Sequence, residues 1–415
     1  MDEPPACHDP LDLPYVRDVL AQLFIPVSDG YFRPRLLGAS RLPPDGPIIL
    51  ACNHSGTAFP YDAIVLDIAL WRRDNCEPAR KFRSMFAKEL AQTWWMRPYG
   101  IDNFWRRAGG VDQTFDNFDR LLARGDRVIY YPEGVPGIGK GFQHRYELQP
   151  FRTSFVVLAA RNNAPVYPVY IVNGEWVMPF NFTWRPLDRL MQICFKVPFL
   201  PLPLGAFLPL LLPFTWYLAF PARLVMIVGQ PVDMAARLRR RGVDDFSVVD
   251  REVAREAAEQ LRGEMQAQLI RYVRRYGRWP YNCRLLGRRL AKARGKWWRT
   301  LPLGWAVVAR AHERNRRRPP ARGWLHAVLR DWDLVGFYVP VFGWLILGLA
   351  RRFRRPPCGF RGMSAEARRE QDGGFRWNLG ERPLPPRDAV FAPTPPPATT
   401  RAASAGDPAA ASPAS

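Results

Sequence analysis

Cysteine and histidine are scarce in this chain, and what there is does not cluster. The six cysteines among 415 residues (Cys7, Cys52, Cys76, Cys194, Cys283 and Cys358) form no pair at the short spacing of a zinc site or redox motif. Free thiols in a reducing compartment are expected. The five histidines (His8, His54, His144, His312 and His326) show no ligand spacing, so no metal is implied. The Gly-x-Ser-x-Gly elbow of hydrolases is absent. No Ser or Thr follows a Gly-Lys pair, which excludes a P-loop. The N-terminus opens on acidic residues and proline rather than a basic-then-apolar pattern, so secretion is not indicated. Acids are also short, 38 against 60 Lys and Arg, for a net charge of +22.

Long regular apolar runs are missing too. Val197 to Ala222 carries no charge, yet six prolines interrupt it, and that density breaks a helix and leaves backbone groups unpaired in lipid. An interfacial or re-entrant segment is expected there, with a buried hairpin as the alternative. Leu334 to Ala350 is uncharged over 17 residues, contains Pro340, and runs into Arg351-Arg352-Phe353-Arg354-Arg355. It is at the short limit for a span, and with Arg and Trp around it suits an anchor dipping into an anionic leaflet. A buried core helix is the alternative. Between Gly277 and Pro356 stand 19 Lys and Arg against Glu313, Asp331 and Asp333, interleaved with Trp297, Trp298, Trp305 and Trp324. Such a patch suits anionic lipid or nucleic acid. No nucleic-acid motif accompanies it, and it leads straight into the apolar segment, so lipid is favoured and no nucleic acid is expected.

What is there is an alternation of strands and helices. The spacing predicts strands at Ile48–Cys52, Phe82–Ala87, Arg127–Tyr131, Pro165–Val172 and Leu224–Val228. Helices are expected at Tyr15–Phe24, Asp62 to about Arg72, Val111–Arg124, Phe151–Arg161 and Asp250–Tyr276. That order implies an α/β domain with a mainly parallel central sheet flanked by helices, followed by a helical basic C-terminal extension. The boundaries read as a disordered lead over 1–12, the α/β domain over 13–235 and a helical region over 236–290. A basic, Trp-rich membrane-associating region over 291–356 and a mostly disordered tail over 357–415 complete the chain.

Polar motifs follow directly on these strands, where open α/β sheets place ligand sites. Asn53-His54-Ser55-Gly56-Thr57 follows the first, and Pro60-Tyr61-Asp62 opens the next helix. A His at a strand end with a carboxylate one loop away suits a general base held by that carboxylate. A loop histidine with Asp62 capping the helix is the alternative. Tyr131-Pro132-Glu133-Gly134 through Lys140-Gly141 is a glycine-rich loop able to approach a polar ligand, or an ordinary surface turn. Phe104-Trp105-Arg106-Arg107 offers guanidinium groups to a phosphate, or is surface charge.

These blocks, with Ala164-Pro165-Val166-Tyr167-Pro168-Val169 after them, stand in an order that resembles the glycerolipid acyltransferase family over residues 30–235. The type member of that family acylates lysophosphatidic acid. The resemblance implies an O-acyltransferase that moves a fatty acyl group from acyl-CoA or acyl carrier protein to a lysophospholipid or glycerol-phosphate-type hydroxyl. His54 would be the base and Asp62 its orienting partner, while Arg106, Arg107, Glu133, Gly134 and Lys140 would hold the acceptor. No cofactor beyond the acyl thioester is implied, and membrane lipids at the cytoplasmic face are the expected partners. Two features depart from the family's commonest pattern. Seven residues separate His54 from Asp62 where four are usual, and Pro136 stands where an Arg often does. Lys140, Arg145 or Arg152 would then meet an acceptor phosphate, or the acceptor is not a lysophosphatidate. The competing expectation is a non-catalytic membrane- or nucleic-acid-binding protein that uses the basic region.

Overall fold

A computed structural model describes residues 24–56, 59–77, 80–86, 108–182, 211–292 and 332–353, with a few single positions between them. The 1–12 lead, the 357–415 tail and most of the basic region lie outside the described residues, as does nearly all of the helix expected at Tyr15–Phe24.

Seven strands form one sheet: β1 (Arg35–Leu37), β2 (Ile48–Cys52), β3 (Arg83–Phe86), β4 (Val111–Asp112), β5 (Arg127–Tyr130), β6 (Val166–Val172) and β7 (Val225–Val228). Their order is β1-β7-β6-β2-β5-β3-β4. All neighbours pair parallel except β6 and β7, which run antiparallel. The expected α/β class with a mainly parallel sheet is what the structure has. Strands β2 and β6 are buried along their whole length, which is why both read as unbroken apolar runs rather than alternating ones.

Each strand sends successive side chains to opposite faces. Leu50 and Cys52 meet α1 (Tyr61–Arg73) through Val65, Leu66 and Leu70. Ile49 and Ala51 face the layer formed by α2 (Phe115–Ala123), α4 (Ser154–Arg161), α5 (Met234–Arg239) and α6 (Arg251–Tyr276). Each fully buried Val, Leu or Ile here stabilises the fold by roughly 1.5–3 kcal/mol. Helix α6 starts where Asp250 accepts the N–H groups of Glu252 and Val253. Its packed stripe includes Ala254, Ala257, Ala258, Leu261, Met265 and Leu269. The short α3 (Val135–Gly139) lies in the glycine-rich loop, and α7 (Cys283–Lys292) follows α6.

Two local expectations need correction, and one strand was not expected. The helix expected at Val111–Arg124 begins only at Phe115, where Thr114 accepts the N–H of Asn117 as its cap. Val111 and Asp112 instead pair with Met85 and Phe86 as an edge strand. Strand β1 went unforeseen because three residues carry too little pattern. The helix expected from Phe151 starts at Ser154.

Pro168 sits inside central strand β6, where a missing N–H would break a ladder. Partner residues Val169↔Val228 and Val166↔Val232 are three apart on β6 and four apart on the facing chain. This extra residue bulges the facing chain beside Pro168, so the lost donor falls where pairing is already interrupted.

The two apolar segments pack in part against this domain. Tyr217, Ala219 and Ala222 are buried in the core on the α1 side, while Leu211 and Phe220 face outward. Helices α8 (Trp332–Val335) and α9 (Gly343–Phe353) are joined by a turn, and Phe337 and Leu347 enter the same core. Val341, Phe342, Leu345 and Leu349 stay exposed. Among the described residues no helix is long and apolar enough to cross a membrane.

Candidate active site

The carboxyl end of β2 lies between β5 and β6, and it delivers Asn53 and His54 into the interior. Asn53 clamps the strand ends together. Its amide donates to the carbonyl of Ile171 at 3.1 Å and its oxygen accepts the Ile171 N–H at 2.7 Å. The next residue then has a fixed direction. His54 Nδ1 stands 3.3 Å from Asp62 Oδ2, and both residues are buried. Asp62 occupies the first turn of α1. Its Oδ2 also accepts the Ser55 N–H at 3.0 Å, and its Oδ1 accepts the Ala63 N–H at 2.8 Å. Asp62 therefore meets both the His54 ring and a first-turn N–H of its own helix. Burial alone would raise its carboxyl, but the hydrogen bond and charge of His54, with the two backbone donors, hold it below the ordinary carboxylate value. An ionised Asp62 favours the tautomer that keeps a proton on Nδ1 and leaves Nε2 as the base. The phenol ring of Tyr131 stacks on the imidazole, centroids 4.0 Å apart. Burial, then the charge of Asp62, pushes that phenol well above its usual range, so it stays neutral.

The glycine-rich loop grips His54 from the other side. Glu133 Oε1 accepts the His54 N–H and Oε2 accepts the Gln149 N–H, each at 2.8 Å. Lys140 Nζ donates to the His54 carbonyl at 2.8 Å and to that of Glu147 at 3.2 Å, and pairs with Glu175 Oε1 at 3.4 Å. The side chains of Lys140 and Glu175 are 0% exposed. Burial raises the Glu175 carboxyl, and the Lys140 charge opposes that rise. Glu133 and Lys140, expected to touch an acceptor, both hydrogen-bond the backbone of His54. Glu175 was not foreseen, although an acid three residues beyond the end of β6 is a signal that could have flagged it. Gly134 has φ +58° and ψ −144°, which a side chain would strain. Gly137 packs so closely that an added Cβ would stand 2.6 Å from Glu133 Cβ and 3.0 Å from His54 Cβ.

From His54 a mainly apolar slot of about 80 Å³ runs along one face of α1, past Pro60, Ala63, Ile64, Asp67 and Ile68. Met85, Phe86 and Trp105 line its other wall, and Gly134 and Val135 stand beside His54. The Arg152 side chain crosses Gly134, its Nε 2.9 Å from where a Cβ would be. Arg145 stacks instead on Phe142. Arg106 and Arg107 lie outside the described residues. The Cys52 thiol, two residues before His54, is pushed well up by burial and is unsuited to attack.

Residues 33–172 match the family model described as Acyltransferase. This stretch is similar to acyltransferase domains. This bears out the resemblance drawn from the motifs, and the domain contains His54, Asp62, Glu133 and Lys140. Uncharacterized proteins of Mycobacterium tuberculosis and Mycobacterium leprae are each 30% identical over 250 residues, which is 58% of this chain. The chain spans 62% and 60% of the length of these relatives. Among solved structures, the 1-acyl-sn-glycerophosphate (LPA) acyltransferase PlsC of Thermotoga maritima aligns with a TM-score of 0.36 at 15% identity, over 62% of this chain and 81% of that one.

Proposed function

We propose that this chain is a membrane-associated O-acyltransferase. It would transfer a fatty acyl group from acyl-CoA or acyl carrier protein to a hydroxyl of a lysophospholipid or glycerol-phosphate-type acceptor. The observation that carries this is the opening of an apolar slot onto the buried His54–Asp62 pair. The slot suits an acyl chain with its thioester carbonyl beside His54. Nε2 removes the proton of the acceptor hydroxyl as that oxygen attacks the carbonyl. The C–S bond then breaks, and the imidazolium returns its proton to the leaving thiolate. General-base assistance of this kind contributes on the order of 10²–10⁴-fold.

With Lys140 enclosed and Arg145 turned onto Phe142, Arg152 beside Gly134 is the cation best placed to meet an anionic acceptor. The exposed apolar face of α9, with basic residues following it, suits an anionic leaflet at the cytoplasmic side.

Transfer of a labelled acyl group from acyl-CoA and from acyl carrier protein to a lysolipid panel tests this directly. The expected result is acylation of at least one acceptor, reduced on the order of 10²–10⁴-fold in His54→Ala. No transfer by the folded wild type to any acceptor from either donor overturns it.

A further inference from the structure

Helix α6 ends at Tyr276 and α7 begins at Cys283, and the elbow between them holds a residue that packing within the fold does not explain. Trp279 is 86% exposed and has φ +59°. A bulky side chain is strained in the left-handed region, and an indole left in water forgoes the gain of burial. The surroundings of this tryptophan are cationic. From Met265 to Lys292 the chain has no Asp or Glu. Arg274, Arg275 and Arg278 are exposed on one side of Trp279, and Arg284, Arg288 and Arg289 on the other. Apolar surface stands beside them. The Pro280 carbonyl accepts the Arg223 N–H at 2.7 Å, and Ala222 pairs with Tyr281. Phe220, 41% exposed, comes within 6.2 Å of the Tyr281 ring.

We propose that this elbow is a docking surface for an anionic phospholipid leaflet, with the Trp279 indole at headgroup depth and the arginines of α7 on the phosphates. The inference rests on the membrane-associated reading above and gives it a second surface besides the apolar face of α9. An indole has an apolar body and one N–H donor, which suits the boundary between headgroups and acyl chains. The cations supply attraction to the anionic surface, and burial of the ring on docking offsets the strain at Trp279. A nucleic acid would answer the charge alone. Phe220 comes from an uncharged segment and favours lipid. The elbow is also tied to the candidate active site. The Tyr281 hydroxyl donates to the Trp176 carbonyl at 2.8 Å, and Gly174 of the same loop packs on Ser55, the neighbour of His54.

The test follows the full-length protein binding to phosphatidylcholine vesicles with and without phosphatidylglycerol. The wild type should bind the anionic vesicles and lose them as salt is raised. Trp279→Gly should weaken that binding by about tenfold, the effect of leaving roughly 60 Å² of apolar ring in water. Its thermal unfolding should not fall, because glycine relieves the strain. A tryptophan needed only for the fold would give the opposite pair of results. Arg284→Gln with Arg288→Gln and Arg289→Gln should weaken binding on the order of 10²-fold at low salt. Arg239→Gln with Arg240→Gln and Arg251→Gln removes the same charge from exposed positions at the end of α5 and the far end of α6, and should cost far less. Elbow variants that bind like the wild type, or a matched triplet that weakens binding equally, overturn the inference. So does a wild type that binds a single-stranded oligonucleotide and not the vesicles. Acyl transfer is read separately. Transfer by elbow variants whose vesicle binding is unaltered sinks the docking surface alone. Elbow-dependent vesicle binding with no transfer from either donor upholds the surface and sinks the acyltransferase function.

Discussion

Glu133 Oε1 accepts the backbone N–H of His54 at 2.8 Å across 79 residues of sequence. Lys140 takes the carbonyl of that same histidine, so both polar groups of its main chain are held by buried charged side chains. The imidazole is thereby oriented from its backbone as well as from its ring, where Asp62 acts.

If these two side chains position His54 rather than bind the acceptor, their variants should show it. Lys140→Met should leave Glu175 buried without its cation and destabilise the protein by about 3–5 kcal/mol. Protein that still folds should lose kcat while keeping its KM for the acceptor. A raised acceptor KM at unchanged kcat would instead make Lys140 an acceptor ligand.

Glu133→Gln offers a gentler version. An amide has one oxygen, so either the His54 or the Gln149 N–H loses its acceptor, at a cost on the order of 1–3 kcal/mol. Thermal unfolding should fall accordingly, and the loss in kcat/KM should appear in kcat.

Gly137→Ala drives a methyl group against Glu133 and His54 at the one point where they cross the loop. Overpacking of this kind costs typically about 1–3 kcal/mol. Activity should drop more than in a control such as Gly263→Ala, where an added Cβ meets nothing within 4 Å. Equal activity in the two variants would show that the close approach is not needed.

Asp62 also shapes the acid limb of stability. Its native pKa lies below its unfolded value, so its contribution is present above the ordinary carboxylate range. That contribution is lost as pH falls through the native value. Unfolding free energy followed from about pH 6 down to about pH 2 should fall less steeply in Asp62→Asn than in the wild type. Parallel curves would remove the linkage.

On α9, Leu345→Asp with Leu349→Asp should weaken flotation with anionic vesicles and leave thermal unfolding nearly unchanged, because both side chains are already exposed. Unaltered flotation would move membrane contact elsewhere on the protein.

Much of this was legible along the chain. The apolar runs of β2 and β6 announce themselves because strands buried on both faces carry no polar interruption, and His54 and Glu133 follow strand ends while Asp62 opens the next helix. The two-residue β4 was hidden because its identity comes from pairing with Met85 and Phe86, not from any local period. Strand β7 was legible at Leu224–Val228, and only its antiparallel direction against β6 was hidden, because that depends on the chain's return to the sheet.

The sequence by itself determined the class of fold and the His54–Asp62 pair, since both rest on short-range pattern and a single loop. Only the tertiary structure decided that Lys140 and Glu133 serve the histidine backbone and that Arg152 lies by the reactive end. The physical reason is distance. Lys140 and His54 are 86 residues apart, and whether an ammonium meets solvent, a ligand or a buried carbonyl is fixed by which strands the fold brings side by side.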